Sequence, residues 1–192
     1  YLRLKSKHYE ELMGEYYDLF DNKKDESSSL TVQFSKLMKV RKVIANEKTK
    51  QTIEFAENII EQGKKVIIFT NFTNTLNQIK EHFGKSAVTL DGSMSKPARQ
   101  NSVDQFQEND KIKVFIGNLK AAGVGITLTA AEAVIMNDLS FVPADHSQAE
   151  DRAYRYGQKN SVLVYYPVFE NTIEIQVYNI LQKKKVYHLY MM

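Results

Sequence analysis

The spacing of apolar positions changes once along the chain. Leu4, His8, Leu12 and Tyr16 recur at near-helical spacing, with Leu19 and Phe20 continuing the stripe, and predict a first helix. The polar stretch DNKKDESSS, Asp21 to Ser29, reads as a loop. Leu30, Phe34, Leu37 and Met38 mark one face of a second helix. Ile53, Ala56 and Ile60 mark a third, from about Glu47 to Gln62, with Gly63 as its stop. Beyond this point short apolar runs rich in branched residues take over: KVIIF (Lys65–Phe69), AVTL (Ala87–Leu90), KVFIG (Lys113–Gly117), AVIMND (Ala133–Asp138) and VLVYYPV (Val162–Val168). Continuous runs of this kind are strands buried on both faces. Between them lie helical stretches, Leu76–Phe83, Lys96–Phe106 and one around Ser147–Gly157, and a last helix runs from Thr172 to about Val186.

Strands alternating with helices predict an α/β fold, a parallel sheet covered on both faces and preceded by a helical segment. The division expected is a helical segment over 1–45 and the alternating domain over 46–192. Ligands of such sheets collect at the carboxyl ends of the strands. That directs attention to the loops after Phe69, Leu90, Gly117 and Asp138.

Composition narrows the classes. The 192 residues are 43% hydrophobic and 26% charged, which supports a proper core. No apolar run reaches membrane-spanning length. Cysteine is absent, which excludes disulfides and thiolate metal sites. The four histidines are scattered, so no metal site is expected. The expected setting is intracellular and reducing, cytoplasmic in a prokaryote or virus and nuclear in a eukaryote. A net charge of +3 is compatible with nucleic acid without pointing to it.

Three stretches carry candidate chemistry. In SQAEDRAYRYGQ (Ser147–Gln158), Ser147 and Glu150 form a capping-box pattern and Gly157 a helix stop. Ala149, Ala153 and Tyr156 would face the sheet, while Gln148, Arg152 and Arg155 share another side and Asp151 is placed to pair with Arg155. Two planar guanidiniums suit a phosphate chain, although a salt-bridged surface helix gives the same pattern. GNLKAAGVGITLTAA (Gly117–Ala131) follows a strand with small residues, and Asn118 and Lys120 stand ready to touch phosphate. TLDGSMSKPARQ (Thr89–Gln100) places Ser93, Ser95, Lys96 and Arg99 on a polar rim at a helix start. Each of the last two also fits a plain packing turn or a capped surface helix.

Taken together and in this order, the stretches resemble the second RecA-like lobe of superfamily-two helicases, most closely the Swi/Snf-type DNA-dependent ATPases. Gln148 to Gln158 agrees with the family's sixth motif at nine of eleven positions, Tyr154 and Tyr156 being the departures. Asn118 to Ala131 resembles the fifth motif, with Asn118 and Lys120 where the family has serine and arginine. Lys65–Phe72 resembles the fourth, and Phe141-Val142-Pro143 stands in place of Trp-Asn-Pro. These substitutions mark a divergent branch.

The resemblance implies a RecA-like fold. Arg152 and Arg155 would be arginine fingers for ATP, and Gln148, Gly123 and Gly125 would lie at the nucleotide. Thr70, Asn71, Arg99, Asn118 and Lys120 would lie on the backbone of double-stranded DNA. It implies a translocase needing ATP and Mg2+, both held mainly by an N-terminal RecA-like lobe, because neither GxxxxGK[ST] nor an Asp-Glu-x-His box occurs in this chain. An unwinding DNA or RNA helicase lobe and a non-catalytic binding module are the alternatives. The chain alone is expected to be inactive.

Overall fold

The computed structural model describes residues 2–21, 30–119 and 125–189. Eleven helices and strands follow one another: α1 (Lys7–Asp21), α2 (Leu30–Glu61), β1 (Val66–Thr70), α3 (Thr73–Phe83), β2 (Ala87–Leu90), α4 (Lys96–Glu108), β3 (Val114–Asn118), β4 (Ala133–Met136), α5 (Pro143–Ala153), β5 (Leu163–Tyr165) and α6 (Ile173–Leu189). The strands form one sheet in the order β2-β3-β1-β4-β5. Every pair is parallel, with Val66 opposite Val114 and Ala133, and Ala133 opposite Leu163. This is the expected doubly covered α/β sheet.

Period-two alternation explains why the central strands are apolar throughout. On one face Ile67, Phe69, Phe115, Val134 and Met136 pack against Val103 and Phe106 of α4 and Ala149 and Ala153 of α5. On the other, Val66, Ile68, Val114, Ile116 and Ile135 meet Ala56 and Ile59 of α2 and Leu76 and Ile79 of α3. Each such side chain, fully buried, contributes about 1.5–3 kcal/mol.

The front of the chain departs from expectation. α2 is one unbroken helix of 32 residues, not two. Its middle is held from two sides: Val40 and Ile44 pack with Tyr9 and Met13 of α1, and Lys48 is fully buried against Glu174 of α6 at 2.5 Å. The expected division near residue 45 therefore falls inside a helix. The buried face of α1 uses Tyr9 and Met13, while His8 is exposed. Phe34, on the apolar face predicted for the second helix, is 60% exposed. The start of the chain is fastened to its far end: Leu2 N–H donates to the Val168 carbonyl at 2.8 Å, and Glu170 N–H donates to that of Leu2 at 2.9 Å. β5 spans only Leu163–Tyr165, shorter than the run Val162–Val168, because Pro167 has no N–H to extend an edge ladder.

Candidate functional site

Because all strands are parallel, the ends of β1, β3 and β4 meet at one edge. There Asp138, only 3% exposed, gathers its donors. The Thr70 hydroxyl donates to it at 2.5 Å, the Asn71 amide N–H at 3.0 Å and the Asn71 Nδ2 at 2.6 Å. Asn118 Nδ2 donates to the Asn71 carbonyl at 3.4 Å, so Asn71 is held from both neighbouring strands. Arg41 of α2 reaches the same edge, donating to the Leu139 carbonyl with its guanidinium 4.5 Å from the Phe141 ring centre. Burial lowers the Arg41 pKa and the Asp138 charge opposes that shift.

Thr70, a candidate for the DNA backbone, faces the interior. It has no exposed surface, and its hydroxyl is turned inward to Asp138 and to the Phe72 N–H at 3.2 Å. Asn71 and Asn118 are half-buried and reach the edge.

Arg99 is half-buried in the first turns of α4. Its Nε donates to the Met94 carbonyl and its Nη2 to the Gly92 carbonyl, each at 2.9 Å. Asp91 closes the same loop by accepting from the Ser93 N–H at 2.7 Å and the Ser93 hydroxyl at 2.5 Å. These bonds, the hydroxyl first, hold the Asp91 carboxyl below its ordinary pKa. Ser95 caps α4 by accepting from the Ala98 N–H.

The α5 region differs most from its sequence pattern. The helix starts at Pro143, not Ser147, because Val142 before the proline is extended and proline itself suits a first helical position. Ser140 replaces a side-chain cap: its hydroxyl accepts from Val142 N–H at 3.1 Å and donates to Asp145 at 2.6 Å. Glu150, expected in a capping box, instead accepts a hydrogen bond from the Tyr166 hydroxyl. The helix ends at Ala153. Arg155 to Gln158 then form a tight turn, Gln158 N–H bonding the Arg155 carbonyl at 2.9 Å and Gly157 supplying φ +99°.

This geometry gives the two arginines different surroundings. α5 begins beyond the carboxyl end of β4 and runs back along it. By its end, Gln158 Nε2 donates both to the Ala153 carbonyl and to that of Ala131, beside the start of β4. The arginines therefore lie over the face between α4 and α5. Arg152 is covered, 8% exposed, and its carbonyl accepts from Leu128 N–H at 2.8 Å. Arg155 is exposed. Its Nη1 donates to Thr127 Oγ1 at 3.0 Å and approaches the carbonyls of Ile126 and Gly125 at 3.3 and 3.4 Å.

Arg155 is thus directed to the β3–β4 loop and not to Asp151. Burial lowers the Arg152 pKa, the nearby Arg155 charge adds to that, and the Asp151 charge opposes it. Gly125 has φ +41°, a conformation that side chains resist, which suits the loop to lie under a guanidinium. Gln148 is exposed one turn before Arg152. Tyr156, expected against the sheet, is fully exposed, as Tyr154 largely is. Lys120 and Gly123 lie outside the described residues.

The structure brings together Arg155, Gly125 and the covered Arg152, and at the edge Asn71 and Asn118. A cleft of about 600 Å³ lined by Met94, Lys96, Arg99, Gly125, Ile126 and Thr127, among others, joins the α4 start to the Arg155 loop. Sequence reasoning missed Asp138 and Arg41, since a buried acid and a reaching arginine are defined by partners 67 and 98 residues distant. Among the described residues no group of three or more His, Cys, Asp or Glu could hold a metal ion, and no helix is long and apolar enough to cross a membrane.

A parallel sheet whose fourth-, fifth- and sixth-motif stretches converge in this way defines a helicase lobe, and the chain belongs to the helicase conserved C-terminal domain family, which matches residues 35–157. It is of the Swi2/Snf2 type. ATP-dependent helicase fft3 of Schizosaccharomyces pombe is 37% identical over 140 residues, covering 71% of this chain and 15% of that protein. The Swi2/Snf2 ATPase core domain of Sulfolobus solfataricus superposes with a TM-score of 0.77 at 27% identity, covering 95% of this chain and 41% of that one. The same core in complex with double-stranded DNA gives 0.76 at 26% identity, covering 96% and 43%. The chain therefore spans less than half the length of each of these relatives.

Proposed function

We propose that this chain is the second motor lobe of an ATP-dependent translocase on double-stranded DNA, supplying a guanidinium to ATP held on another lobe. The observation that carries the reading is the position of Arg155: exposed, in the turn after α5, against the β3–β4 loop and beside a second, covered guanidinium. Charge that builds on the transferring phosphoryl group is stabilised by a preorganised cation, and loss of such a finger costs about 10³–10⁵ in rate. Arg155 is that finger. Arg152 raises the local positive potential, and Gln148 and Gly125 flank the nucleotide. The fit to an anionic triphosphate follows from the two adjacent guanidiniums. Mg2+ is assigned to the other lobe, as the described residues present no acidic cluster for it. Alone, this chain neither binds ATP tightly nor turns it over.

Asn71 and Asn118, held by Asp138 and by one another, are assigned to one DNA strand, with the Arg99 loop beside them. Such contacts position the protein without reading sequence. Support comes from the likeness to a core crystallised with double-stranded DNA. The test is ATP hydrolysis by the full-length protein on duplex, single-stranded and forked DNA. Duplex should stimulate most, with no strand separation on the fork. Efficient unwinding would favour a helicase of the separating type. Absence of any stimulation would leave a binding module.

A further inference from the structure

The loop Asp91–Ser95 offers two cations, and they are placed differently. Arg99 spends two of its five N–H donors inside the loop: Nε bonds Met94 O and Nη2 bonds Gly92 O, each at 2.9 Å. A fork that grips two carbonyls is the geometry in which Arg and Lys are least interchangeable. Asp91 locks the same loop through Ser93, and Ser95 seats it on α4. Lys96 is the next residue. It is exposed, it has no partner among the described residues, and its loop follows Leu90, which lies opposite Gly117, next to Asn118 at the end of β3.

We propose that Lys96 is the cation of this loop that meets a DNA phosphate, and that Arg99 is a positioning residue that staples the loop so that Lys96 is presented. The proposal deepens the reading of the chain as a DNA translocase lobe, and its Lys96 half rests on that reading. A stapled loop fixes the backbone on which Lys96 stands, so that ordering the loop is not left to the moment of binding.

Charge counting separates the two roles. Each phosphate neutralised by a cation contributes about 0.9 to the slope of log affinity against log salt on duplex DNA. In the full-length protein, Lys96→Gln should lower that slope by about 0.9. Arg99→Gln and Arg99→Lys should both weaken binding several-fold at every salt concentration, with the slope unchanged. In the absence of DNA, amide exchange across residues 92–95 should accelerate in both Arg99 variants and not in Lys96→Gln.

Arg99→Lys that binds like wild type, with Arg99→Gln losing about 0.9 of slope, would show that Arg99 itself holds the phosphate and overturn the proposal. An unchanged slope in Lys96→Gln overturns the Lys96 assignment. Wild-type protein that does not bind duplex DNA overturns the translocase reading and the Lys96 assignment with it. The exchange measurement decides the Arg99 staple in either case, and unaltered exchange in both Arg99 variants overturns it.

Discussion

The carboxyl edge of the sheet and the face between α4 and α5 are built on opposite principles. At the edge, polar groups are buried and mutually bonded: Asp138 takes the hydroxyl of Thr70 and two N–H groups of Asn71, and Arg41 closes over Phe141. On the α4–α5 face a positive region is left open, with Arg155 exposed on Gly125, Ile126 and Thr127. The buried members of the first region, Thr70 and Asp138, are satisfied within this chain, so their substitutions should register as stability. The second is complementary to something the chain does not carry, so its substitutions should register as activity. Buried polar networks are costly when partly satisfied, whereas an exposed cation is already solvated.

That contrast can be broken from its stable side first. Lys48→Met, in the buried pair that ties α2 to α6, would strand Glu174 without its cation and cost about 3–5 kcal/mol. Its melting temperature should fall furthest of the variants considered. Asp138→Ala leaves the fully buried Thr70 hydroxyl and the Asn71 N–H without their acceptor. The expected loss is about 1–3 kcal/mol by denaturant titration.

A smaller effect comes from acid. The Asp91 pKa is depressed in the folded chain, so its contribution is complete above the ordinary carboxylate value and fades as pH falls through the lower folded value. Amide protection at Ser93 should decline over that acidic window and not near neutrality. Least of all, Tyr156→Ala, at a fully exposed ring, should change stability by no more than about 0.5 kcal/mol in the same titration. A large loss there would mean that the open face is packed after all.

How much of this was legible in the sequence follows from which contacts are local. The strands were readable because the central ones, buried on both faces, carry branched apolar residues without interruption: Val66 to Phe69 and Val114 to Ile116 are fully buried. The sixth-motif pattern located the arginines but not their surroundings. Ser147 and Glu150 have the spacing of a capping box, yet Pro143 starts the helix four residues earlier and Glu150 is drawn to Tyr166. The helix ends before Arg155, so Arg155 turns out to the β3–β4 loop while Arg152 stays covered beside it. α2 reads as two helices only if the stripe Val40, Val43 and Ile44, which continues Leu37, is passed over. The packing of this stretch is divided between α1, through Val40 and Ile44, and the sheet edge, through Arg41. Thr70 matched a phosphate-contact position by sequence, but only the sheet brings it within reach of Asp138.

The central claim is that Arg155 acts on a triphosphate bound elsewhere in the full-length protein. Duplex-stimulated ATP hydrolysis by the full-length Arg155→Ala variant tests it most directly. The account predicts a fall of about 10³-fold or more, with melting temperature and duplex affinity close to wild type. Hydrolysis within a few-fold of wild type would contradict it, as would measurable turnover by the 192-residue chain alone that Arg155→Ala abolishes.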